Sequence, residues 1–146
     1  MTAIVQMRTD RPSRVAPSAR ALMASARHGL ASAGGESSAG SRYVAAHLAA
    51  LRAAAAVVAA RSEPVSRRRR PQSVWELLPR VEPALCEWAA FFAAGAGKRA
   101  AAEAGLEAVS PREADDLLRD AKTFVGLAES ALGIPAQEAL PLRTAG

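Results

Sequence analysis

The chain predicts an all-α fold, an up-down antiparallel bundle of about four main helices with a disordered N-terminal arm and a flexible C-terminal tail. Three observations predict it. Half of the 146 residues are hydrophobic, but that half is mostly alanine, and only six residues are aromatic. Alanine is the best helix former and brings little buried area per residue, so stability must come from many close helix contacts around a few large anchors. Apolar residues recur at helical spacing in four segments, and no segment alternates as a half-buried strand would. A chain of this length has room for one domain with one core.

Residues 1–16 carry Arg8, Arg11, Arg14 and Pro12 without periodicity and read as a basic, disordered arm. The bundle domain is expected over residues 17–133. Its first helix runs from about Ser18 to Ala33, where Leu22, Ala26 and Leu30 repeat every four residues beside Met23. Gly34 and Gly35 end it. The second helix starts near Ser41, and Val44, Leu48, Leu51, Ala55 and Val58 form a heptad-like apolar seam that predicts its buried face. It stops before Pro64, and residues 62–72, with four consecutive arginines, read as a solvated basic loop.

Ser73 caps a short turn whose Trp75, Leu77 and Leu78 are expected to cover one end of the bundle. Pro79 and Pro83 mark the entry of a third helix, about Glu82 to Ala104, anchored by Leu85, Trp88, Phe91 and Phe92. Gly95 and Gly97 within it allow either a close helix approach or a bend. The fourth helix has Ser110 as N-cap, Pro111 at N1 and Glu113 at N3, a capping box. Its seam is Ala114, Leu118, Ala121, Val125, Ala128 and Leu132, widened by Leu117 and Phe124, and Gly133 and Pro135 end it. Residues 134–146 read as a flexible tail.

The composition excludes several function classes. Two histidines and one cysteine, without metal-ligand spacing, are too few for a zinc site, and no phosphate-binding loop is present, so no metal and no cofactor is expected. The carboxylates Glu113, Asp115, Asp116 and Asp120 complement the dipole of the fourth helix instead. Cys86 excludes an intrachain disulfide and reads as a small core residue. No N-terminal apolar run suggests a signal peptide, and Trp88 to Gly97 spans only half a membrane, so a cytoplasmic protein with no membrane partner is expected. The net charge of +5, with 17 arginines against two lysines, suits an acidic partner such as RNA or a nucleotide.

The chemistry-bearing candidates are Arg42 and His47, an Arg-x4-His pair on the second helix. His47 falls about 40° from the centre of the seam, at the edge of the buried face. On a straight helix Arg42 points about 140° away from it, so the two converge only at an unwound helix start or with a second copy of the chain. If they converge, a neutral imidazole can exchange protons with a ribose 2′-hydroxyl or a leaving 5′-oxygen, and a guanidinium can hold the phosphate as charge develops. Tyr43 is then positioned to stack on a base. Arg67, Arg68, Arg69 and Arg70 would add salt-dependent phosphate contacts; as a solvated loop they would only keep the bundle in solution.

The segments SRYVAAHLAALRAAAAVVAAR, SVWELLPRVEPALCEWAAFFAAG and SPREADDLLRDAKTFVGLAESALG, with the arginine run between the first two, resemble the HEPN superfamily, and in particular a small SAV-type actinobacterial family within it. The resemblance covers about Ser18 to Gly133. It implies a small helical bundle that commonly dimerises, and an Arg-x4-6-His motif that Arg42 and His47 match. Many relatives of this kind are metal-independent endoribonucleases, and others are non-catalytic. The resemblance therefore implies either a protein acting on RNA or nucleotides, or a helical module for dimerisation or for docking a protein partner encoded nearby.

Overall fold

The computed structural model describes residues 15–61, 73–106 and 108–135. The expected N-terminal arm, the basic loop with Arg67, Arg68, Arg69 and Arg70, and most of the C-terminal tail lie outside the described residues. Among the described residues there are five α-helices and no strand: α1 (Pro17–Gly34), α2 (Ala39–Arg61), α3 (Val74–Val81), α4 (Cys86–Glu103) and α5 (Pro111–Ala131), with a 3-10 turn, Pro83–Leu85, leading into α4. The four main helices are the expected ones. The segment around Trp75 is a two-turn helix in its own right, started by the Ser73 hydroxyl, which accepts from the Glu76 N–H.

Ion pairs fix the helix directions. Arg42 near the start of α2 bonds Asp115 near the start of α5, and Arg61 at the end of α2 bonds the carbonyl of Ala131 at the end of α5. These two helices therefore run parallel. Arg61 also pairs with Glu82 just ahead of α4, and Lys98 late in α4 pairs with Glu113 early in α5. Both contacts set α4 antiparallel to them, as an up-down order requires. On α1, Arg27 makes a bidentate pair with Glu129, at 2.9 and 2.6 Å. Glu129 is 4% exposed, so its charge is compensated by that guanidinium.

α2 is the central element and packs against all four other helices. Its buried face differs from the expected one. Val44, Leu48, Leu51, Ala55 and Val58 are only half-buried, whereas Tyr43, Ala46, His47, Ala49, Ala50, Ala53, Ala54, Ala56 and Val57 are buried. A helix enclosed on several sides turns its small residues inward, because alanine lets neighbouring backbones approach; the larger residues fill the margins between helices. Gly29 of α1 lies against this face: a Cβ there would sit 3.4 Å from that of Ala49. Val44 and Leu48 border a shallow groove of about 410 Å³ with Ala102 and Glu103 of α4.

α2 is also long and apolar enough to cross a membrane, with a mean hydropathy of 1.6, a longer apolar run than Trp88 to Gly97. Half of that window is buried inside the bundle, which accounts for its composition.

The large core side chains come from the other helices. Trp75, Leu78, Leu85, Phe92, Leu117, Leu118, Phe124 and Val125 are buried. Two expected anchors are corrected: Phe91 is 45% exposed and Cys86 is exposed. Both lie off the face of α4 that meets α2, on which Ala89 and Phe92 are spaced three apart. The seam of α5 follows the expected pattern, with Ala114, Leu117, Leu118, Ala121, Phe124, Val125 and Ala128 all buried.

Ser110 and Glu113 form the reciprocal capping box. The Glu113 N–H donates to the Ser110 hydroxyl at 3.0 Å and the Ser110 N–H to the Glu113 carboxylate at 2.9 Å. The Lys98 ammonium, then the capping contact, holds the Glu113 carboxyl below its usual range. Ser110→Ala is expected to lower the stability of the bundle by about 1 kcal/mol without altering its helix content, read from urea unfolding and far-ultraviolet circular dichroism.

Candidate functional site

His47 stands in the third turn of α2, where the row Tyr43, His47, Ala50, Ala54 faces the crossing with α4. Its side chain is completely buried, not at the edge of the core. The Nε2 atom lies 2.9 Å from the carbonyl oxygen of Phe92. A carbonyl can only accept, so Nε2 carries the proton and the neutral ring has a bare Nδ1. Nδ1 has no hydrogen-bond partner. The ring packs edge-on against Trp75, with centroids 6.1 Å apart at 71°, and against Phe92, at 5.8 Å and 75°.

α4 approaches so closely because its residue at the crossing is glycine. A Cβ at Gly95 would lie 3.4 Å from the Tyr43 hydroxyl oxygen and 3.7 Å from Cδ2 of His47. Of the two roles open to Gly95, the structure takes close approach. Tyr43 is 7% exposed, with its hydroxyl directed at this glycine, so its ring has no free face for a base.

Burial pushes the His47 pKa below its ordinary value, and the Arg99 charge lowers it further; the Phe92 carbonyl opposes both and is outweighed. The imidazole is therefore held neutral. Arg99 lies on the last turns of α4, pairs with Glu103 at 3.0 Å, and has a buried Nε without a partner. Nothing in the spacing of the sequence marks Arg99 as a neighbour of His47; only the crossing at Gly95 makes it one.

Arg42 engages elsewhere. Its Nε donates to Asp115 at 3.1 Å and its Nη1 to the backbone carbonyl of Glu36 at 3.1 Å, tying the α1–α2 turn to the start of α5. Its side chain is 15% exposed. Within one chain, then, the structure does not bring Arg42 and His47 to a shared site: one guanidinium braces a turn, one imidazole fills the core. Their divergence is the one that helix geometry predicts for residues five apart. Arg67, Arg68, Arg69 and Arg70 lie outside the described residues.

A family model for SAV_6107-like HEPN domains matches residues 33–129, about two-thirds of the chain. The chain belongs to the HEPN superfamily. No curated protein and no solved structure matches it. The all-α bundle found here is the architecture that the resemblance implied for a HEPN domain. The matched span begins at the end of α1, so it takes in the central helix with Arg42 and His47, the aromatic-rich α3 and α4, and nearly all of α5.

The geometry gives His47 a pH signature. Its folded-state pKa is depressed, so the stability it contributes is complete above the unfolded value near 6.5 and is lost as pH falls from there through the folded value. The melting temperature is expected to fall on acidification through the region below pH 6.5, and His47→Leu should flatten that part of the profile. His47→Ala should cost about 2–4 kcal/mol in urea unfolding at neutral pH, from the cavity and the Phe92 carbonyl left unpaired.

Proposed function

We propose that this HEPN-family chain acts by binding, as a non-catalytic helical interaction module. The observation that carries the reading is the state of His47: no exposed surface, Nε2 committed to the Phe92 carbonyl, and no guanidinium presented beside it for a phosphate. General acid–base catalysis requires an imidazole nitrogen within hydrogen-bond reach of the substrate. Here that access would require α4 to lift from α2 and break the Gly95 crossing. The only other histidine, His28, is exposed on α1.

Charge supports the same reading. The described residues hold eleven basic and ten acidic side chains, against nineteen and fourteen in the whole chain, so the bundle is nearly neutral. Most of its cations are ion-paired within the fold, as Arg27, Arg42, Arg61, Lys98, Arg99 and Arg119 are. A surface that neutralises phosphates needs free cations, and the helices offer few.

A metal-independent endoribonuclease built on Arg42 and His47 is the second reading, favoured by the Arg-x4-His spacing and by the family. It would use Arg67, Arg68, Arg69 and Arg70 for RNA contact, since the positive surplus lies outside the described residues. Incubating a mixed end-labelled RNA pool with the protein in EDTA separates the two. Wild type is expected to leave the pool as intact as His47→Ala and Arg42→Ala do. Cleavage by wild type alone, with both variants folded, would overturn the binding reading and establish the catalytic one.

A further inference from the structure

The rings that join α4 to α5 leave one side of their junction open. The two helix backbones scarcely approach each other; side chains bridge them, with Phe92 and Phe124 rings 5.2 Å apart and Trp88 and Phe124 at 6.0 Å. Outside this bridge runs a groove of about 390 Å³ lined by Glu87, Trp88 and Phe91 from α4 and Asp120 from α5. Trp88 stacks on Phe92 at 22° and is half-buried, and Phe91 stands edge-on to Trp88 at 88°. Phe91 and Leu127 are the most exposed large apolar side chains on the described helices.

The charge in this groove has one sign. Glu87 and Asp120 are its only ionisable lining residues, and neither has an ion-pair or hydrogen-bond partner among the described residues. The contrast along α5 is sharp: Glu113 is taken by Lys98, Asp115 by Arg42 and Asp116 by Arg119, while Asp120, one turn on, is left facing the groove. Aromatic faces are themselves negative, so two rings and two unpaired carboxylates make an electronegative, partly apolar slot. Exposed aromatic surface without a partner within the chain costs free energy that a ligand would recover.

We propose that the groove between α4 and α5 docks an arginine side chain presented by a basic segment of a partner protein. The proposal rests on the binding reading above and names the chemistry of the partner. A guanidinium satisfies every feature of the slot at once: its plane stacks on an indole or phenyl ring, its alkyl stem covers apolar surface, and its fork of donors reaches carboxylates on both walls. An ammonium can pair with one carboxylate but has no plane to stack.

The test titrates the full chain with an acetylated peptide of four arginines spaced by glycines, following tryptophan fluorescence and calorimetry at low ionic strength. Lysine and glutamate peptides of the same length serve as comparisons. Saturable binding of the arginine peptide is expected, with the lysine peptide weaker and the glutamate peptide silent. The Glu87→Gln/Asp120→Asn double variant should bind about tenfold more weakly while its circular dichroism is unchanged, as is expected when two partly exposed charge contacts are lost. Phe91→Ala should also weaken binding, and it removes no core contact that the fold needs.

Equal affinity of wild type and the double variant, or no binding at all, would overturn the proposal. Binding that emerges only when Arg67 to Arg70 are replaced by serine would also overturn it, assigning the groove to the arginines of the chain itself. The RNA assay in EDTA decides the binding reading independently. A silent peptide titration with intact RNA removes only the arginine partner.

Discussion

The bundle depends on the size of the side chains along α2. Ala46, Ala49, Ala50, Ala53, Ala54 and Ala56 have no exposed surface, and they make the inner wall against which the other helices close. Gly29 on α1 and Gly95 on α4 extend the same device to the partners, since a Cβ on either would already touch α2 at 3.4 Å. Such contacts bring axes toward the lower end of the usual 8–10 Å separation. They also make the wall intolerant: each added methylene must displace a neighbouring backbone, at a typical cost of about 1–3 kcal/mol.

A wall of alanines buries little apolar area, so the burial must come from elsewhere. Trp75, Trp88, Phe92 and Phe124 supply it as one connected cluster, with Trp75 stacked on Phe92 at 5.3 Å and Phe124 tilted against both. The same rings hold the backbones of α4 and α5 apart. Close packing at the α2 face and wide spacing at the α4–α5 junction are thus two consequences of one distribution of side-chain volume. The open groove at Trp88 and Phe91 lies where the wide side meets solvent, and His47 lies where the aromatic cluster meets the alanine wall.

How much of this was legible in the sequence differs by helix. α5 could be read almost residue by residue, because its capping box, its seam and Gly133, at φ +74°, are local signals that tertiary context did not override. α2 could be read as a helix but not for its face. Periodicity weights the largest residues, so the stripe from Val44 to Val58 stood out, whereas a helix enclosed on several sides is buried through its smallest ones. The misplacement of His47 at an edge follows directly from that shift. Phe91 and Cys86 show the converse limit: hydrophobicity alone cannot tell a core anchor from a half-exposed ring when both flank the same turn of α4. The Gly95 crossing, and with it the approach of Arg99 to His47, depends on a contact 45 to 50 residues away in the chain that no local pattern encodes.

The fate of the Arg-x4-His spacing follows from the same packing. A motif of this kind becomes a site only if the fold leaves its atoms available, and here each residue already has structural employment. Arg42 holds the α1–α2 turn to α5 through Glu36 and Asp115, and His47 holds α4 to α2 through the Phe92 carbonyl. The bare Nδ1 of His47 is the one unmet demand, and burial together with Arg99 opposes the proton that would meet it. A ring in that state serves as a core aromatic with a single polar tether. The carboxylates whose charge the fold leaves unspent at an apolar surface, Glu87 and Asp120, are instead on the far wall of the aromatic cluster. In this chain the helix that carries the family's residue spacing builds the frame, and the chemistry left facing outward belongs to α4 and α5.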